Sequence, residues 1–133
     1  MKGKVNKDHV YTGFGVLSWP DSSTYMGNWQ DNSRNGFGLF RNAEGIEYCG
    51  MWKNGKKCGF GVLKHPNGEE YAGEWNEGVM SGLGALSSRY GDVYKGQFEN
   101  HKFNGLGIFK KTSGEIYMGY FKDGMSNGMS FIT

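Results

Sequence analysis

Residues 48–70 read "YCGMWKNGKKCGFGVLKHPNGEE" and hold five glycines, Gly50, Gly55, Gly59, Gly61 and Gly68. Glycine adds no side chain to a core and loses more chain freedom on folding than any other residue. Glycine at this density serves either a bound ligand or the backbone itself. The rest of the chain decides between the two. Tyr25, Tyr48, Tyr71, Tyr94 and Tyr117 recur every 23 residues, and each is followed two positions later by glycine and two further on by Trp29, Trp52, Trp75, Phe98 or Phe121. A second glycine pair recurs at 13/15, 36/38, 59/61, 82/84 and 105/107 and ends as Gly128/Ser130, and a last glycine marks 45, 68, 91 and 114. With the column Gly55, Gly78 and Gly124, these positions take every glycine of the 24 except Gly3. Glycines in such strict phase are architectural, and an internal period of this length marks a repeat array.

Each unit reads Y-x-G-x-[W/F], a six-residue loop, G-x-G-x-x and a short turn. Both segments are too short for helices and alternate with period two, so they read as strands. "AEG" at 43–45, "PNG" at 66–68 and "TSG" at 112–114 suit three-residue hairpin loops with glycine in the left-handed position. "RYG" keeps its Gly91, whereas "PDS" at 20–22 departs from the pattern. The longer loops carry glycine, or Asn32 and His101, at the matching position, and both residue types tolerate positive φ. The expectation is all-β: an elongated, single-layer antiparallel meander of about eleven strands, roughly 50 Å long. Residues 1–12 fall outside the pattern and 13–133 form the array, with a half unit, four full units and a partial last one.

The turn lengths predict a register. Trp52 faces Gly59, Gly50 faces Gly61 and Tyr48 faces Leu63; on the next strand pair Leu63 faces Tyr71, Gly61 faces Gly73 and Gly59 faces Trp75. Three rows then cross one face: rings alternating with glycines, a row of glycine alone, and a row of large residues from Leu17 and Tyr25 to Tyr117 and Ile132. Rings lie across bare backbone, and cross-strand pairs of this kind stabilise sheets. Each buried ring contributes about 1.5–3 kcal/mol, and the glycine row is expected to leave a furrow. The opposite face carries Phe14, Phe37, Phe60, Leu83, Leu106 and Met129, so both faces are substantially apolar. One should close on itself and the other should meet a partner.

Composition limits the functions. The chain has 133 residues, net charge +2 and 37% hydrophobic residues, of which the aromatics (16% of the chain) are a large part. That charge balance argues against nucleic acid. No stretch of about 18 apolar residues suggests a membrane span, and the basic N-terminus lacks a signal's apolar core, so a cytoplasmic location is expected. Cys49 and Cys58 form no disulfide framework and read as free thiols. A zinc site from these two and a histidine is the minor alternative. No phosphate loop or G-x-G-x-x-G–helix motif occurs, and His9, His65 and His101 sit at unrelated phases. No catalytic residue, cofactor or metal ligand is assigned, and the chain is not read as an enzyme.

These phased residues resemble the MORN repeat (membrane occupation and recognition nexus), with a pattern similar to Y-x-G-x-W-x-x-G-x-x-x-G-x-G. Ser22, Asn32, His101 and Ser130 replace glycine, and Phe98 and Phe121 replace tryptophan. The resemblance implies a scaffold or docking module of the kind found in cytoskeletal and ciliary assemblies, membrane junctions and regulatory parts of enzymes. The expected partners are a protein or peptide, or a second copy of the chain, engaged through an apolar face, a groove and open sheet edges. The residues assigned to partner binding are Tyr25, Trp29, Tyr48, Trp52, Tyr71, Trp75, Tyr94, Phe98, Tyr117 and Phe121. The alternatives are a regulatory module of an enzyme complex, or an anionic phospholipid tether using Lys53, Lys56 and Lys57 of one loop and Lys110 and Lys111 of another. Met26, Met51 and Met118 read equally as an adaptable contact surface or as gap fillers.

Overall fold

Every strand pairs antiparallel with its neighbours in sequence, in a computed structural model that describes residues 2–5, 11–122 and 125–126. The strands are β1 (Lys2–Val5), β2 (Tyr11–Ser18), β3 (Thr24–Gln30), β4 (Ser33–Arg41), β5 (Glu47–Lys53), β6 (Lys56–Lys64), β7 (Glu70–Asn76), β8 (Val79–Ser87), β9 (Val93–Glu99), β10 (Lys102–Lys110), β11 (Ile116–Lys122) and β12 (Met125–Ser126). They form a single sheet of twelve strands in sequence order, and β1 and β12 do not pair with each other. No helix occurs among the described residues. The all-β meander read from the 23-residue period is therefore the architecture, while its expected last strand, around Gly128 to Ile132, lies outside the described residues.

The hairpins are of two alternating kinds. Three-residue loops join β2–β3, β4–β5, β6–β7, β8–β9 and β10–β11; in the third, the His65 N–H donates to Glu69 O at 2.8 Å and Gly68 N–H to His65 O at 3.0 Å. The last loop residue has positive φ at Gly45, Gly68, Gly91 and Gly114. "PDS" departs only in sequence, because Ser22 takes the same conformation at φ 77°. Asx and Ser side chains brace these loops: Asn42 Oδ1 accepts from the Glu44 and Ile46 N–H groups, and Ser88 Oγ from Tyr90 and Asp92.

The second kind corrects the six-residue loop. Lys53 pairs with Lys56, leaving a two-residue turn at Asn54-Gly55 with φ of 51° and 80°. Positive φ at both central residues is the type I′ hairpin turn, and it recurs at Asp31-Asn32, Glu77-Gly78 and Asn100-His101. A tight turn cannot reach the glycine register unaided. Gly50 does face Gly61, but Trp52 faces Lys57 and not Gly59, so Cys58, Gly59 and Phe60 together oppose Met51. This is a bulge with two extra residues. It repeats as Trp29 facing Arg34, Trp75 facing Met80 and Phe98 facing Phe103. On the other side of each bulged strand the ladder is unbroken, with Gly36 facing Trp52 and Gly59 facing Trp75 as expected.

The core lies on one face, built without a second layer. All five repeat tyrosines are buried, and the rings of Tyr25, Tyr48, Tyr71 and Tyr94 lie down on the neighbouring strand's glycine. A Cβ at Gly61 would come within 2.1 Å of the Tyr48 hydroxyl oxygen and 2.4 Å of its ring; one at Gly38 would meet Tyr25 equally closely. The expected furrow over the middle row is thus filled by tyrosine. The Tyr48 O–H donates to the Met51 carbonyl at 2.9 Å, and Tyr25, Tyr71 and Tyr94 do the same to Asn28, Glu74 and Gln97. Those residues stand opposite the bulges, where the ladder is interrupted. Tyrosine therefore fills the space above glycine and caps a backbone carbonyl at the same time. Trp52 and Trp75 donate their indole N–H to the carbonyls of Gly38 and Gly61, at 3.4 and 3.1 Å. Tyrosines and Trp/Phe rings alternate in edge-to-face contact along the sheet, as in Tyr48–Trp52 at 5.1 Å and Tyr48–Trp75 at 5.4 Å. Such pairs contribute about 0.5–1.5 kcal/mol each beyond the area they bury.

Candidate docking face

The structure places the ten rings assigned to partner binding in this core, none more than 7% exposed. A partner touches accessible atoms, and on these strands the accessible side chains are those behind the rings. The alternation that turns Tyr48, Gly50 and Trp52 inward turns Cys49, Met51 and Lys53 outward. On β6 the same logic exposes Phe60.

Two apolar rows cross this outer face. One runs through Phe14, Phe37, Phe60, Leu83 and Leu106, each more than half exposed. Their cross-strand partners are Asn28, Met51, Glu74, Gln97 and Tyr120. The other row is continuous from Val16 through Met26, Leu39, Cys49, Val62, Ala72 and Ala85 to Lys95, Ile108 and Met118. Nine strand steps separate β2 from β11, so the apolar strip is roughly 45 Å long. Of the methionines read two ways from sequence, Met26, Met51 and Met118 are exposed on this strip and fill no gap under the rings.

Polar groups frame the strip. Beside it, Arg41 faces Glu47 and Lys64 faces Glu70, with N–O distances of 3.5 and 3.6 Å. Both pairs are solvated and contribute little stability, but they fix a charged border to the apolar rows. Within the first row Glu74 Oε2 accepts from the Leu83 N–H at 2.6 Å and Gln97 Oε1 from the Leu106 N–H at 2.7 Å. These two side chains bind backbone donors at the bulges and so are held down on the sheet, leaving Leu83 and Leu106 proud.

The lysine loop expected for lipid contact is divided by the fold. Lys53 and Lys56 are exposed neighbours across the I′ turn. Lys57 instead sits at the bulge on the ring face, its Nζ 5.4–5.7 Å from the ring centroids of Tyr48, Trp52 and Trp75. Arg34, one repeat earlier, has its guanidinium carbon 4.5 Å from the Trp52 centroid and 5.4 Å from Phe40. Counting from the glycines missed this column; the "NG" at 54–55 was the signal that could have found it. Cys49 is exposed and Cys58 half-buried, both free thiols. Among the described residues no three His, Cys, Asp or Glu side chains gather as a metal-ligand group. His65 pairs loosely with Glu69 at 3.7 Å, and His101 Nδ1 accepts from the Met80 N–H at 3.3 Å. No helix among them is long and apolar enough to cross a membrane.

With this geometry in view, the profile of the MORN repeat matches residues 7–24, 25–46, 48–70, 71–92, 94–116 and 117–129. The chain belongs to the MORN repeat family. The matches begin with or beside each repeat tyrosine from Tyr25 onward, and the first takes in part of the segment that the period alone left outside the array. Compared with curated proteins, the chain finds no match. MORN repeats generally act as modules of protein or membrane interaction and are generally non-catalytic.

Proposed function

We propose that this MORN array is a non-catalytic docking scaffold whose outer face receives an apolar surface of a partner protein. One observation carries the reading. Phe14, Phe37, Phe60, Leu83 and Leu106 stand in line, all exposed, on a face that the core does not need. Scattered apolar side chains are ordinary on a protein surface, but a contiguous strip of this length marks an interaction site. Aromatic and methionine side chains are the residue types enriched in such contacts. The ionic border supplies a polar rim. A second copy of the chain is the simplest apolar partner, and an open sheet leaves edge strands to which another chain can add. A cytoplasmic assembly of the cytoskeletal or ciliary kind is the setting this reading carries.

The test replaces Phe37, Phe60 and Leu83 together by serine. Thermal stability should stay close to that of the parent, because the side chains are solvated in the free chain. Cross-linking to partner proteins, or self-association in sedimentation velocity, should fall by at least about tenfold. Undiminished association would overturn the reading. The membrane alternative rests on exposed Lys53 and Lys56, which share one hairpin. It requires sedimentation with anionic vesicles at low salt that disappears in Lys53→Gln/Lys56→Gln.

A further inference from the structure

We propose that Arg34 and Lys57 form an anion-receiving site on the ring face, which takes the carboxylates of an acidic, leucine-rich segment of a partner protein. This site lies on the opposite side of the sheet from the docking strip and goes beyond it.

Both residues occupy the bulge column, where they face Trp29 and Trp52 across the hairpin. Both heads lie over Trp52, the guanidinium carbon 4.5 Å and the ammonium nitrogen 5.7 Å from its ring centroid. Both residues are half-buried. At the outer border Arg41 and Lys64 each have a carboxylate partner. Among the described residues Arg34 and Lys57 have none, and neither head donates a hydrogen bond to a protein acceptor. Burial disfavours the charge on each, and the nearby Arg34 further disfavours that on Lys57. Two like charges are thus held close together, partly out of water, with their N–H groups unspent on any described residue.

The fold does not require them. At the same column Met80 and Phe103 pack as apolar side chains on the same core. Cations over rings gain from the ring quadrupole, but an apolar residue fills the position without the cost of desolvation. A carboxylate set against both heads would form charge-assisted hydrogen bonds, which are among the stronger ones in proteins.

The neighbours define the rest of the ligand. Beyond Lys57 the column becomes Met80 and then Phe103, flanked by Leu86 and Phe109, all in contact with the core. Successive repeats are two strands apart, so this apolar track extends about 20 Å from the cations. The complementary ligand carries its negative charge at one end and branched apolar side chains along the remainder. A protein segment offers that order of groups. A lipid headgroup layer would favour cations standing free of the surface, whereas these two are tucked between rings.

The probe is a labelled peptide of consecutive glutamates followed by leucines, titrated by fluorescence anisotropy against the full chain. Saturable binding is expected. It should weaken by about tenfold in Arg34→Gln and again in Lys57→Gln, the loss of one charge-assisted hydrogen bond each. It should persist in Arg34→Lys and Lys57→Arg and vanish when the peptide's glutamates become glutamines. Circular dichroism melts check folding; Lys57→Met, which copies the residue at position 80, serves if a glutamine variant unfolds. Binding should survive Phe37→Ser/Phe60→Ser/Leu83→Ser, which separates this site from the outer face. The inference is overturned if the parent chain does not bind the peptide saturably, or if Arg34→Gln and Lys57→Met leave affinity unchanged. It is equally overturned if phosphatidylserine vesicles bind with the same dependence on Arg34 and Lys57 and displace the peptide.

Discussion

The surroundings of Tyr48 and Tyr94 share one backbone and differ in what covers the ring. Around Tyr48 stand Trp52 and Trp75, both edge-to-face, with the Lys57 ammonium 5.4 Å from the tyrosine centroid. Around Tyr94 stand Phe98 and Phe121, again edge-to-face, while Phe103 stacks on it at 3.8 Å with the planes 7° apart. The tyrosine, the glycine beneath it and the carbonyl it caps are the same in both. The flanking rings change from indole to phenyl but stay aromatic and edge-on, whereas the bulge residue changes its chemistry outright, from cation to phenyl. The repeat therefore consists of a fixed frame and one free column. The first half of the array spends that column on charge and the second half on additional core.

The frame should break equally in both halves, and with the largest effect. Gly61→Ala and Gly107→Ala each set a Cβ within about 2 Å of a tyrosine hydroxyl, at 2.1 and 2.2 Å. Each should cost about 3 kcal/mol or more in urea unfolding, since the ring must leave and its hydrogen bond go with it. Gly55→Ala has nothing within 4 Å but φ +80°, and should cost only about 1–2 kcal/mol.

Alkaline titration probes the frame in both halves together. Burial pushes the Tyr25, Tyr71 and Tyr94 hydroxyls up from 10 to about 12, and Tyr48 higher still. The folded state thus favours the protonated phenol. Its contribution is complete below pH 10 and is lost as pH climbs toward 12. Melting temperature should therefore be flat to about pH 10 and fall steeply above it, alongside tyrosinate absorbance near 295 nm, roughly the usual wavelength.

Exchanging the column between halves tests its independence. Phe103→Lys loses the stacked ring and should cost about 1–2 kcal/mol. Lys57→Phe removes a half-buried charge and should be neutral or stabilising by about 1 kcal/mol. A large loss in Lys57→Phe would mean that the column belongs to the frame after all.

The smallest difference distinguishes two tryptophans. The Trp75 indole N–H reaches the Gly61 carbonyl, whereas the Trp29 Nε1 is buried without an acceptor among the described residues. Trp75→Phe should therefore be about 1 kcal/mol more costly than Trp29→Phe. Phe98 and Phe121 already show that the position accepts phenyl.

Much of this was legible in the chain itself. The period placed the strands, and Gly45, Gly68, Gly91 and Gly114 placed the left-handed loop ends. The pairing of Gly59 with Trp75 follows from the three-residue turn, while that of Gly50 with Gly61 was expected from a six-residue loop and is reached instead through a bulge. What escaped was the discrepancy at Asn54-Gly55. Its I′ turn pairs Lys53 with Lys56, two residues out of step with the glycine ladder, and the bulge at Gly59 absorbs the difference. A ladder assumed continuous hides that bulge, and with it the position of Arg34 and Lys57. The burial of the ten assigned rings escaped for a related reason: in a single layer, the most conspicuous rings are spent on the core.

Where the backbone must be bare could be read from the chain, because a Cβ has no room beneath a tyrosine ring. Which groups cover that bare backbone and which remain in water is set by the folded sheet. Those outcomes depend on register across strands, and register shifts by two residues wherever a tight turn and an interrupted ladder meet.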